Sequence, residues 1–111
     1  MTTYSYITID DPAGYQYTIP ESINASGQIT GYYQDFQLHG FVYSGGTYTT
    51  IDGPSDETTP FSINDLGQIT GIYYDSSGSA DHGFLFSGGT YTTIDDPLGI
   101  NTVPRSINNS G

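Results

Sequence analysis

Ten residues at Ser62–Gly71, Ser-Ile-Asn-Asp-Leu-Gly-Gln-Ile-Thr-Gly, recur almost unchanged at Ser22–Gly31, with Ala25-Ser26 in place of Asp65-Leu66. A third copy begins at Ser106 and reaches Gly111, the last residue. Each copy reads as a short strand around the Ile, a tight turn closing on Gly, and a second strand opening Gln-Ile-Thr. A second motif is phased with the first: His39-Gly-Phe-Val-Tyr-Ser, Gly45-Gly46 and Thr47-Tyr-Thr-Thr-Ile-Asp return as His82-Gly-Phe-Leu-Phe-Ser, Gly88-Gly89 and Thr90-Tyr-Thr-Thr-Ile-Asp. The paired glycines carry the chemistry of a primed hairpin turn.

Spacing decides what such units can build. Gly27 to Gly67 is 40 residues, His39 to His82 and Tyr48 to Tyr91 are 43, and Ser62 to Ser106 is 44, the differences falling in polar loops. About four short strands in such a period is the size of one β-propeller blade. One four-stranded sheet cannot bury both faces alone, so neighbouring units must cover them. No stretch carries a sustained 3.6-residue periodicity, so no long helix is predicted.

The predicted strands are Tyr6–Asp10, the hairpin arms at each Ser-Ile-Asn, Gln28–Tyr33 with Ile29, Gly31 and Tyr33 on one face, and the Gly-Gly hairpins. Ala13–Pro20 and Gln34–Leu38 read as connections. The chain divides into an N-terminal partial repeat (1–21), repeat 1 (22–61), repeat 2 (62–105) and the start of a third (106–111). Tyr6–Gly27 matches Tyr91–Gly111, so two periods are followed by a half period that duplicates the beginning. The expected fold class is all-β: tandem four-stranded antiparallel blades of a β-propeller, incomplete in one chain and completed by oligomerisation.

Composition limits the partners. Twelve acidic residues against one Lys+Arg give a formal charge of -11, and Arg105 alone cannot supply the basic footprint that nucleic acid or an anionic membrane needs. The acidity implies solubility and mutual repulsion, or, more sharply, clustered carboxylates holding Ca2+. Without cysteine there is no disulfide or thiolate site. Met1-Thr-Thr-Tyr lacks the features of a signal peptide, and no segment is long and apolar enough to span a membrane. Leu, Ile, Val and Phe number 4, 12, 2 and 5, a thin supply for a core, so association would help the fold.

Candidate chemistry falls on repeat positions. His39 and His82 stand before Gly-Phe in equivalent places, which favours hydrogen bonds within each unit over a single catalytic site. Asn24, Asn64 and Asn108 precede the turns that close on Gly27, Gly67 and Gly111, where an Asn side chain bonds its own backbone. Asn24-Ala-Ser and Asn108-Asn-Ser also fit the glycosylation pattern.

The Asp10-Asp11 and Asp95-Asp96 pairs, with Asp52 as the matching single acid, read as turns into Pro. Asp10, Asp52 and Asp95 are the candidate Ca2+ ligands, with Asp56 or Glu57 as further oxygens. Asp75-Ser-Ser-Gly-Ser-Ala-Asp81 is too short for an EF-hand loop. Eleven tyrosines without Trp offer sugar-stacking surfaces, but Tyr33, Tyr43, Tyr48, Tyr74 and Tyr91 sit at strand positions and are expected to pack between blades.

The phased Ser-Ile-Asn-x-x-Gly-Gln-Ile-Thr-Gly and His-Gly-Phe-x-Tyr/Phe-Ser-Gly-Gly-Thr-Tyr-Thr-Thr-Ile-Asp motifs, over Tyr6–Gly111, resemble the HAF-type extracellular repeats of bacterial proteins. The resemblance implies a secreted or surface-exposed protein of β-propeller-like repeats, and it carries over no catalytic residue and no cofactor. The expected function is non-catalytic self-assembly or scaffolding, with itself as partner, through blade packing and exchange of terminal strands. The alternative is a carbohydrate-binding propeller.

Overall fold

The computed structural model describes residues 3–14, 16–54, 57–77 and 79–111. Among these residues eight strands follow one another: β1 (Tyr17–Ile23), β2 (Ile29–Gln34), β3 (Leu38–Ser44), β4 (Thr47–Ile51), β5 (Glu57–Ile63), β6 (Ile69–Asp75), β7 (Ala80–Ser87) and β8 (Thr90–Ile94). They form two antiparallel four-stranded sheets, β1-β2-β3-β4 and β5-β6-β7-β8. Among the described residues there is no helix, and therefore none long and apolar enough to cross a membrane.

The turns follow from the residues at them. Gly45 and Gly46 have φ of 55° and 90°, and Gly88 and Gly89 of 59° and 83°, so both central positions of each hairpin lie where L side chains are disfavoured. The Asn-x-x-Gly turns are closed twice. Gly67 donates its N–H to the Asn64 carbonyl, and Asn64 donates its N–H to the Gln68 carbonyl.

Two expectations shift in detail. Ala13–Pro20 is not all connection, because β1 already begins at Tyr17. Pro20 and Pro60 fit inside strands because the register slips between Pro20 and Ser22 and between Pro60 and Ser62; a residue that cannot donate to a ladder is tolerated at a bulge. Each sheet therefore starts five residues before the repeat boundary drawn at Ser22 or Ser62, at Tyr17 and Glu57. The strand predicted at Tyr6–Asp10 does not form: residues 3–10 carry no ladder, and Tyr4, Tyr6 and Ile7 are exposed.

The core lies where the sheets meet. Ile51, Ile63, Ile69, Tyr73 and Phe84 are buried together, with Val42, Phe86 and Tyr91 packed on them. Phe41 and Phe84 have no exposed surface. Beneath them the Thr30 and Thr70 hydroxyls donate to the Phe41 and Phe84 carbonyls at 2.9 and 2.8 Å, so these buried polar groups are satisfied. The molecule is drawn out, 54 × 35 × 25 Å, with a radius of gyration of 14.5 Å. A compact domain of this length would have about 13 Å.

Candidate functional site

The second sheet sits on the first through β5, which lies against β1, β2 and β3. Gly40 makes this approach possible: a Cβ there would fall 2.7 Å from Pro60 Cγ and 2.8 Å from the Ile51 carbonyl oxygen. Among the described residues three hydrogen bonds stitch the seam. The Asn24 Nδ2 amide donates to the Asn64 carbonyl (2.9 Å), Ile63 N–H to Ser22 Oγ (3.2 Å) and Ala25 N–H to Asp65 Oδ1 (2.7 Å).

The same seam is built again one repeat on, between the second sheet and residues 102–111. Gly83 receives Pro104, where a Cβ would lie 2.9 Å from Pro104 Cδ. Asn64 Nδ2 donates to the Asn108 carbonyl (2.9 Å), Ile107 N–H to Ser62 Oγ (3.3 Å) and Asp65 N–H to Asn109 Oδ1 (2.9 Å). The run 102–111 thus follows on sheet two the course that β5 and its turn follow on sheet one.

The recurrent asparagines do more than make turns. Asn64 Oδ1 accepts from Leu66 and Gln68 N–H, holding the turn, while Nδ2 donates to Gln68 Oε1 and across the seam. Asn24 repeats this with Ser26 and Gln28. Sequence reasoning captured the turn half and missed the seam half; the signal was Gln28 and Gln68, each four residues after its Asn. Asp65, accepting from Ala25 N–H and the Asn109 amide, has its carboxyl held below the ordinary value.

Each histidine is held in its own sheet between acids. His39 Nδ1 lies 2.9 Å from Asp52 Oδ1 and Nε2 3.1 Å from Asp35 Oδ1, with the ring stacked on Tyr33 at 5.2 Å. His82 Nδ1 lies 2.6 Å from Asp95 Oδ2 and Nε2 3.7 Å from Asp75 Oδ2, stacked on Tyr73 at 5.1 Å. Burial of the His39 ring opposes its charge, but the Asp52 and Asp35 carboxylates outweigh that and raise its pKa. The Gln37 N–H foremost, with His39, lowers that of Asp35. Asp35 and Asp75 were missed because unequal loops place them four and seven residues before their histidines.

Two of the three candidate cation ligands, Asp52 and Asp95, therefore face histidines in separate sheets, while Asp10 is exposed and its backbone bonds the Tyr48 hydroxyl. Glu57 pairs with Tyr74 across the β5–β6 ladder; Asp56, and Gly78 of the Asp75–Asp81 loop, lie outside the described residues. Among the described residues no three His, Cys, Asp or Glu side chains converge as a metal site. Asp11, beside Asp10, is 4% exposed; its Oδ1 accepts from Ala13 N–H.

The tyrosines pack mainly inside their sheets. Tyr33 is buried, its hydroxyl 3.0 Å from Thr50 Oγ1. Tyr43 and Tyr48 form a cross-strand pair at 4.9 Å. Tyr91 lies on Phe86 and Phe84 at 4.8 and 5.8 Å, and burial, with the nearby Asp52 charge, pushes its hydroxyl up to about 12. Tyr74 is 36% exposed.

Open apolar surface is left at the two ends of the stack. At one end a cavity of about 270 Å³ lies among Thr70, Leu85, Ile94, Pro104 and Ile107. At the other, a cavity of similar size borders Pro20, Ile23 and Ile29, with Ile23 64% exposed. Comparison with family models, with curated proteins and with solved structures finds no match to this chain.

Proposed function

We propose that the protein is a non-catalytic, surface-exposed or secreted β-repeat module that assembles with copies of itself, its sheets acting as blades of a propeller or of an open stack. One observation carries the reading: the seam between the two sheets is repeated, bond for bond, between the second sheet and residues 102–111. A joint that is made twice by one rule can be made again wherever matching surfaces meet. The free ends match in kind. Among the described residues the Asn108 Nδ2 has no partner, though its Oδ1 accepts from Ser110 N–H, while the Asn24 carbonyl receives only the Gly27 N–H of its own turn.

The histidines fit this reading as structural groups, each in the same acid-flanked setting. The tyrosines that a sugar site would use are largely engaged in packing. Multi-angle light scattering over a concentration series tests the proposal, with negative-stain images of the same samples. Particles of several chains, in rings or filaments, are expected. A mass that stays at 12.0 kDa across the series overturns it.

A further inference from the structure

We propose that the run 102–108 and the cavity beside it take strand β2 of a second copy, whose own β1 is displaced. The proposal rests on the assembly reading and names the joint by which it happens.

What fills the equivalent cavity one repeat earlier is visible. Leu85, Ile94 and Ile107 stand one repeat after Val42, Ile51 and Ile63. Those three pack with Ile69, the Ile of Gln-Ile-Thr-Gly on β6, which is 1% exposed. The cavity at the far end is thus shaped for the Ile of another such strand. The run 102–108 also forms no ladder among the described residues, whereas its counterpart β5 pairs with β6 along its length. An open edge beside an apolar socket is the setting for strand addition.

The chain holds two Gln-Ile-Thr-Gly strands. Ile69 on β6 is 1% exposed, whereas Ile29 on β2 is half-buried and borders the cavity at the other end. Its partner β1 pairs with it as β5 pairs with β6 but buries less apolar surface, Ile23 being 64% exposed where the equivalent Ile63 is 5% exposed. Residues 102–111 can stand in for it. Thr18, Pro20, Ser22, Ile23, Asn24, Ser26 and Gly27 are matched in type and order by Thr102, Pro104, Ser106, Ile107, Asn108, Ser110 and Gly111.

In the register of β1 on β2, Ile107 would face Ile29, Ser106 would face Thr30 and Pro104 would face Gly31. Charge points the same way. Arg105, the chain's one Lys or Arg, replaces Glu21 and already lies over Phe61 at 5.0 Å. Exchange would put a cation in place of an acid where two chains of charge -11 meet. Because the strand contacts swap like for like, the balance is set by the added burial of Ile29, Ile94 and Ile107 against the entropy of association.

The absence of cysteine allows a direct test. Chains carrying Ile107→Cys and Ile29→Cys are mixed under mild oxidation, after circular dichroism has shown that each keeps its sheet signal. Both classes of antiparallel pair lie within disulfide range. The expected result is a shift from the 12.0 kDa band to a disulfide-linked dimer that needs both chains. If light scattering finds assemblies and no such bond forms, strand exchange is overturned and the assembly reading stands. If Ile107→Cys links instead to Ile23→Cys, the copies dock side by side with β1 in place, which also overturns exchange. If the unmodified chain is monomeric throughout and no bond forms, both readings fall.

Discussion

The side-chain amide of Asn64 donates to the carbonyl of Asn108 at 2.9 Å while its oxygen accepts two N–H groups of its own turn. One buried side chain thus shapes a hairpin and joins it to the next repeat. Asn64→Ala leaves those partners unpaired and is expected to lower stability by about 2 to 4 kcal/mol. Asn108 is exposed, so Asn108→Ala should cost about 1 kcal/mol or less. Urea denaturation of both variants checks the ratio; equal midpoints would show that the seam bond contributes nothing.

Gly40 is required by a neighbour in the other sheet. Its added Cβ would meet Pro60 Cγ at 2.7 Å and the Ile51 oxygen at 2.8 Å. Gly40→Ala should therefore destabilise by about 1 to 3 kcal/mol, the usual cost of overpacking. Pro60→Ala added to it removes one of the two clashes, so a double-mutant cycle should show a favourable coupling. Strict additivity would mean that the sheets do not press together at this point.

Much of this architecture was legible in advance, and the reasons are local. Gly45-Gly46 between apolar runs specifies a tight hairpin, and the phased Ser-Ile-Asn and His-Gly-Phe motifs set four strands to a period. Relations across the seam were less legible. Gly40 reads as any strand glycine until Pro60 is seen against it. Asp35 and Asp75 meet equivalent histidines across connections of unequal length, so spacing could not reveal them. The failed strand at Tyr6–Asp10 has a related cause. Its sequence matches β8, but β8 forms on β7, and no described strand pairs with residues 3–10. A β-propensity needs an edge to act on.

Stability should depend on pH through His39. Its pKa is raised above the ordinary 6.5, so its contribution is complete below that value and is lost as pH rises through the raised one. On the acid side Asp35, held below 3.8, loses its contribution as pH falls through its lowered value. The urea midpoint should therefore fall between mildly acidic and mildly alkaline pH. Growing repulsion among the acids acts in the same direction, so the diagnostic is His39→Gln, which should flatten the slope. An unchanged slope would assign the whole effect to net charge.

Tyr91 supplies an alkaline limit. Its hydroxyl titrates near 12 in the folded chain against 10.0 ordinarily, so above pH 10 the unfolded chain gives up that proton first and stability falls as pH rises. Tyr91→Phe has no proton to lose and should remove this part of the decline. Spectrophotometric titration of tyrosinate should show the most alkaline step disappear in the variant. If that step survives, it belongs to another tyrosine.

Ile69 and Ile29 occupy the same repeat position with different burial, and the comparison separates what one chain stabilises from what copies would add. Ile69→Ala opens a cavity among Ile51, Ile63 and Phe84 and should cost about 2 to 5 kcal/mol at any protein concentration. Ile29 is half-buried, so in a single chain Ile29→Ala leaves less of a void and should cost less. If β2 enters the cavity of a second copy, Ile29 becomes as enclosed as Ile69, and its substitution weakens a step that depends on concentration. The melting temperature of the unsubstituted chain should then rise with protein concentration, and that of Ile29→Ala should rise less steeply. Parallel dependences would mean that Ile29 never leaves its half-exposed place.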